Sequence, residues 1–524
     1  MKNYIKIAIA ASVLLFSMAC DKELLEPYTP GQLTEDIALQ TSTDLSNLLN
    51  SSYSFLNSRS EPVNVSVFTD EVSIGFASGG QGIGSGQYLF VMNPGADLPS
   101  DIWENNYFAL ARINRVLKYA DIIQPTSTAD AKSIAEIKAQ ALVLRAYCHL
   151  TILAYFTTDM KNDNALAGIL ANKVFLPSES QNARATNGQF YSLIHSDLDQ
   201  AISLFTANST VFNSTTANIW FAKGLKARAY AYKGDYINAF TFANDVITNS
   251  GLALATQAQY RQLFFSDNQP ANVEVIFKLR RTPVQNAQGF NLHNGWVSVR
   301  PNVSGSPFYE LSRSLHNLLN PTNLPGNNVA TIPDVRANVL IAPSSVIDPS
   351  YATASDVRNS DRLVINKHGG VASGTNSWAV TSNNSNNNDI KIMRLSEMYL
   401  IRAESRVSAS LSDAANNIKS IRDARFGSSQ AAPMYTSAQQ AWASILTERR
   451  IELAFEGHRF IDIKRLGVLA NQGIDRDAAD YASATANYPA ANPSNLPLTS
   501  FKWALPIPQD ELNVNKVIQQ NPGY

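Results

Sequence analysis

The segment ILTERRIELAFEGHRFIDIKRLG, residues 445–467, gathers side chains that could do acid–base or metal chemistry. Glu448, Glu452 and Glu456 are four apart, so a continuous helix puts all three carboxylates on one face, and Arg449 can pair with Glu452 at i,i+3. His458 and Asp462 have the same spacing and could hold a metal if Gly457 leaves the helix unbroken. A metal site needs three or four ligands. The remaining histidines, at 149, 195, 293, 316 and 368, are scattered, so no metal is expected. The two acids of a glycosidase can lie far apart in sequence, so spacing alone leaves that chemistry open. The structural use of such charges is to bond one another, cap neighbouring helix ends and tie segments together. Cys148 and His149 are the other candidate nucleophile and base. They sit in the apolar run AQALVLRAYCHLTILAYF with no orienting partner in sight, which reads as a small buried hydrophobe.

The elements that must position these residues are helices. Trp103, Tyr107, Leu110, Ile113 and Leu117 recur at three- and four-residue steps, the stripe of a helix packed on helices. The pattern continues through 132–156 and returns at 190–247, where Gly234-Asp235 marks a turn between two helices. Such pairs, about 34 residues long with Ala at close-packing positions, resemble tetratricopeptide repeats. IKIMRLSEMYLIRAESRVSA and LSDAANNIKSIRDARFG read as a third pair, and a helix containing Glu448 to Arg465 closes the series. Residues 32–60 are weakly helical. SGGQGIGSGQ (78–87) is a Gly-rich loop without the Lys-Ser/Thr end of a phosphate-binding loop. Residues 251–390 change character: Asn, Ser, Gly and Pro abound, VEVIFKLRR is β-like, and SNNSNNND (382–389) is a polar tract. The fold class expected is mostly α, a tetratricopeptide-like helix-pair scaffold (about 101–250 and 390–467) with a loop-rich, partly β insertion (about 251–390). Loops on a rigid scaffold are where binding residues concentrate, and residues 470–524 read as irregular.

The chain has 524 residues, 45% hydrophobic and 16% charged, with a net charge of −1. Nothing in that balance makes the basic stripe nucleic acid needs. MKNYIKIAIAASVLLFSMAC has Lys2 and Lys6, an apolar run from Ile7 to Phe16, then small residues, which is a secretory signal peptide. Cys20 directly after it resembles a bacterial lipoprotein signal, whose cysteine takes a diacylglycerol once residues 1–19 are removed; the alternative is ordinary secretion with a chance cysteine. Each buried acyl CH₂ contributes about 0.8 kcal/mol, so two or three chains anchor firmly. Residues 20–31, polar and Pro-bearing, read as a tether, and 32–524 as a single domain. Lipidation of Cys20 leaves Cys148 alone, without a disulfide.

Four segments together resemble the SusD/RagB family of outer-membrane lipoproteins. MRLSEMYLIRAES (393–405) is similar to its Arg-x-x-Glu-x-x-Leu-x-x-Ala-Glu segment. ERRIELAFEGHRFIDIKRLG (448–467) is similar to its charged signature, with Ile463 in place of the usual Leu. LPIPQDELNVNKVIQQNPGY (505–524) resembles its terminal segment, and WENNYFALARINRVL (103–117) its first repeat helix. The resemblance implies a surface lipoprotein that captures an oligosaccharide and, as a lid, delivers it to a SusC-like TonB-dependent transporter in the outer membrane. It implies no catalysis and no cofactor, and it makes the 448–467 charges structural. The alternatives are a RagB-like peptide-uptake lipoprotein and a non-catalytic interaction subunit.

Sugars offer C–H faces to aromatic rings and hydroxyls to planar polar groups. GFNLHNGWVSVRPN (289–302) fits that need, with Asn291, Trp296 and Arg300; GTNSWAVTSNN (374–384) offers Trp378, and VFTDEVSIGF (67–76) offers Asp70 and Glu71. Trp103, Trp220, Trp442 and Trp503 fall in helical or terminal segments and are expected in the core.

Overall fold

The structure, a computed structural model, describes residues 34–57, 61–75, 86–179, 181–265, 273–280, 309–354, 360–368, 389–480 and 493–524. After a single helical turn at Glu35–Ala38 come helices α1 (Ser42–Asn57) and α2 (Glu61–Phe68) and strand β1 (Val72–Ile74), and a stack of long helices follows. In it α3 (Asp97–Ala120) packs on α1, α4 (Thr128–Phe156) on α3, α5 (Asn187–Asn208) on α4, α6 (Ile219–Lys233) on α5 and α7 (Tyr236–Asn249) on α6. The α3 stripe points inward as its spacing requires: Trp103, Leu110, Ile113 and Leu117 are buried, and the Tyr107 hydroxyl donates to the Ile169 carbonyl. Among the described residues α4 alone is long and apolar enough to cross a membrane. Its apolar stretch is buried between α3 and α5, which is what a helix hydrophobic all round requires. Gly234, at φ +82°, ends α6 in the left-handed conformation that suits glycine, and Asp235 caps α7 by accepting from the Asn238 N–H.

After α7 the chain leaves the stack. It forms α8 (Gln257–Phe265), β2 (Val275–Leu279), β3 (Tyr309–Leu311), α9 (Arg313–Leu319), α10 (Val335–Leu340) and β4 (Ile390–Arg394). Helix α11 (Leu395–Arg406) then packs directly on α7, so the segment between them is an insertion in a continuous solenoid. Helices α12 (Leu411–Phe426), α13 (Ala438–Glu452) and α14 (Arg459–Ala470) complete the stack. Two antiparallel ladders serve the insertion. β1 pairs with β3 (Val72 opposite Leu311, Ile74 opposite Tyr309), and β2 pairs with β4 (Leu279 opposite Ile390) with an irregular register.

Two expectations are corrected. IKIMR is strand rather than helix, because it pairs with β2 and is buried on both faces, and five residues are too few to impose a helical period. The 448–465 helix is two helices. α13 stops at Glu452, and Phe455 (φ +61°) and Gly457 (φ +85°) turn the chain before α14 starts at Arg459.

The C-terminal segment clamps the N-terminal helices. The Asn521 amide donates to the carbonyls of Phe156 (2.8 Å) and Leu505 (2.7 Å), and its Oδ1 accepts from Arg184 (2.8 Å). Trp103 donates to Glu511, in the short helix α15 (Gln509–Val514). Trp103, Trp442 and Trp503 are buried, and Trp220 is half-buried against the core.

Candidate functional site

The 448–467 charges face the interior. Glu448, Arg449, Arg450, Glu452, Arg459, Asp462 and Arg465 are buried, and the Glu456 side chain is 3% exposed. Most belong to three ion-pair groups. In the first, Glu452 accepts from Arg425 (2.7 Å) and Arg394 (2.8 Å), Arg425 also pairs with Glu274 (2.9 Å), and Arg336 joins Glu448 (2.6 Å). Glu456 closes this group by accepting from Arg394 (2.7 Å) and Lys367 (2.7 Å). In the second, Arg449 pairs with Asp462 (2.8 Å) and Glu404 (3.1 Å), and Arg465 with Glu404 (3.0 Å). In the third, both Asp70 oxygens accept from Arg459 at 2.7 Å, and the Asp70 backbone carbonyl accepts from Arg450.

These contacts decide between chemistry and scaffolding. Isolated buried charges are unaffordable, whereas paired and hydrogen-bonded ones persist. Burial works to raise the Glu452 carboxyl, but Arg425 and Arg394 outweigh it and hold the group well below its ordinary value. Burial likewise opposes ionisation of Glu456, and Arg394 and Lys367 overcome it. Carboxylates locked in this way neither carry a proton to a substrate nor meet one. Arg449 pairs with Asp462 and Glu404 rather than with Glu452 as the i,i+3 spacing suggested. Asp462 is held by two arginines, and among the described residues no group of three or more His, Cys, Asp or Glu is placed to hold a metal ion. Cys148 is buried. The neighbouring His149 ring is committed on both sides, Nδ1 to the Arg145 carbonyl and Nε2 to the Ala171 N–H, and burial pushes its pKa down to about 3.

Asp70 requires a correction. Expected at a ligand surface, it lies inside the protein; besides Arg459 it accepts from the Asp475 N–H (2.9 Å), so its oxygens are occupied by the fold. Burial tends to raise its carboxyl, and Arg450 and Arg459 reverse that and hold it far below the ordinary range. Glu71 beside it has no such cation in contact among the described residues: burial pushes it up to about 8, and one oxygen accepts from the Phe455 N–H.

Asn291, Trp296, Arg300 and Trp378 lie outside the described residues. The structure does place the anchors of the segments that carry them. Ile74, just before residues 76–85, is opposite Tyr309, the first residue after 281–308. Leu279, just before 281–308, is opposite Ile390, just after 369–388. The Phe455 peptide joins two of these anchors. Its N–H donates to Glu71, its carbonyl accepts from His368 Nε2 (3.1 Å), and Lys367 donates to the Ala454 carbonyl (2.7 Å). The charged signature therefore roots the base of the candidate loops. Sequence reasoning missed Glu274, Arg336 and Lys367, the insertion's own members of the network. The available signal was a lone acid beside the apolar run of VEVIFKLRR, in a chain of low charge content.

A family model described as the SusD family matches residues 344–524, and one described as starch-binding, associating with the outer membrane, matches residues 32–231. SusD-like protein P2 of Formosa agariphila is 24% identical, with the whole of both chains aligned. The fold matches a SusD superfamily protein from Bacteroides thetaiotaomicron with TM-score 0.70 and 23% identity, covering 92% of this chain and 100% of that one. It also matches a laminarin binding SusD-like protein with TM-score 0.63 and 21% identity, covering 93% of this chain and 100% of that one. The two family models take in the first half of the helical stack and the charged signature with its C-terminal clamp, and on that ground the chain belongs to the SusD/RagB family.

Proposed function

We propose that the protein is a non-catalytic, surface-exposed glycan-binding lipoprotein, anchored by lipid on Cys20. It captures oligosaccharides at the outer membrane and delivers them to a SusC-like TonB-dependent transporter. The observation that carries the reading is the burial of the charged signature. The residues best suited to chemistry are consumed in holding the scaffold and the loop anchors, which leaves recognition to the loops. Support also comes from the laminarin-binding name of one structural match and the starch-binding, outer-membrane description of the family model over residues 32–231. Trp296 supplies the stacking surface and Asn291 and Arg300 planar hydrogen-bonding groups, with Trp378 as a second aromatic. Asp70 contributes only by fixing the base on which these loops stand.

The test is isothermal titration against panels of oligosaccharides and oligopeptides. Saturable heat with one glycan class is the expected result. Heat with peptides alone would transfer the protein to the peptide-uptake reading. For a glycan that binds, Trp296→Ala should weaken affinity by about tenfold, the size of one stacking contact, with an unchanged unfolding midpoint. Unaltered affinity in that variant removes Trp296 from the site.

A further inference from the structure

Helices α7, α11 and α12 frame a cleft of about 340 Å³ that none of the candidate loops enters in sequence. That volume is at the lower end of the range for small-molecule sites and suits one or two sugar rings. Arg402 is its centre. Nε donates to Asn417 Oδ1 (2.6 Å) and Nη1 to Asn244 Oδ1 (2.9 Å), while the guanidinium lies 4.9 Å from the centre of the Tyr399 ring. Asn417 is itself 7% exposed and is fixed by donating to the Asp413 carbonyl, so the amides orient Arg402 from the floor of the cleft.

These amides orient the guanidinium without neutralising it. The acid in the cleft, Asp413, is taken at one oxygen by both Nε and Nη2 of Arg406. Among the described residues Arg402 makes no ion pair, and its Nη2 is left as a donor. Partial burial lowers the pKa of Arg402, as expected of a cation that lacks a counter-charge. Beside it the half-buried Phe240 presents a ring, with Arg406 over it at 5.4 Å, and Asn416 and Ser420 supply further polar groups. An uncompensated, pre-oriented guanidinium next to an aromatic ring and amides is built for an anion carried on a polyhydroxylated ring.

We propose that this cleft is a second saccharide site, for a sugar unit bearing one carboxylate or sulfate. The anion pairs with Arg402, the C–H face of the sugar meets Phe240, and its hydroxyls meet Asn244 and Asn416. The site rests on the glycan-binding reading and extends it to acidic sugars. In the family segment at 393–405 the fixed positions Arg394, Glu397, Leu400, Ala403 and Glu404 are buried, and Arg402 occupies a position between them.

The test titrates the full chain in detergent with a trigalacturonate, a monosulfated galactose disaccharide and neutral laminaritriose. Binding of an acidic probe, weakened tenfold or more in both Arg402→Gln and Ser420→Tyr, with neutral binding unchanged in both variants, is the expected result. Arg402→Gln keeps an amide for Asn417, and Ser420→Tyr fills the cleft from a half-buried position. Which acidic probe binds distinguishes carboxylate from sulfate. Binding of laminaritriose alone, or acidic binding unaffected by either variant, overturns the cleft and leaves the glycan reading standing. Silence with all three probes overturns the cleft, and silence across the wider oligosaccharide panel as well would bring down the glycan reading.

Discussion

Glu456 accepts from Arg394 and Lys367 in a buried setting, so its removal takes away the ion-pair partner of a fully buried Lys367 and one of the three carboxylates around Arg394. Breaking one partner of a buried pair typically costs about 3–5 kcal/mol. Glu456→Ala should lower unfolding free energy by that order, read from urea midpoints; a stable variant that instead lost a hydrolytic activity would contradict the structural role. Glu71 makes the opposite case. Its carboxyl is raised by burial from an ordinary 4.5 to about 8, so the native state holds a proton that the unfolded chain gives up. Its contribution is complete below pH 4.5 and is lost as pH climbs through 8. Glu71→Gln should therefore be more stable than the parent at pH 8, by up to about 3 kcal/mol, and should lose that advantage at pH 4.5. Comparing variant with parent at each pH cancels the buried histidines, whose lowered pKa values act in the other direction. The structural meaning of Glu448, Glu452 and Glu456 was legible through the resemblance of 448–467 to the family's charged signature, since their spacing alone left carboxylate chemistry open. Their partners Arg336 and Lys367, and Glu274, which shares Arg425 and Arg394 with Glu452, were not legible, since pairing across more than 80 residues leaves no periodic trace.

At the scale of elements, the helix stack follows from apolar periodicity and from turn chemistry such as Gly234-Asp235. What failed were the cases where a local pattern admits two readings. IKIMR, apolar at 390, 392 and 393, could be strand or helix; its partner β2, more than 100 residues earlier, decides. The break at 453–458 turns on Gly457, whose glycine could be tolerated within a helix or could end it. Its φ of +85° settles that outcome. A Cβ added there has room, the nearest atom being the Pro62 Cα at 3.6 Å, so only backbone strain opposes it. Gly457→Ala should cost about 1–2 kcal/mol in a thermal melt. A larger loss would mean that the turn had moved Glu456 away from Arg394.

For the molecule as a whole, the insertion is anchored as firmly as the solenoid it interrupts. α7 and α11 touch directly, yet Glu274, Arg336 and Lys367 reach from the insertion into the network beneath α13. Binding specificity can therefore vary between those anchors, in 281–308 and 369–388, while the anchors stay fixed. The ligand-facing residues were proposed from composition, and no sequence pattern reaches further, because a stacking tryptophan has the same identity as one that pins a loop. The terminal clamp has a consequence for the order of folding. Asn521 bonds the end of α4 across 365 residues, and Arg459 meets Asp70 across 389. Contacts this distant must wait for loop closure, which slows folding. A chain ending at Ala504 should keep its helices by circular dichroism yet stay sensitive to protease around Phe156, whereas the full chain resists. Residues 505–524 thus seal helices laid down hundreds of residues earlier, and those helices stay open until this segment has been synthesised and docked.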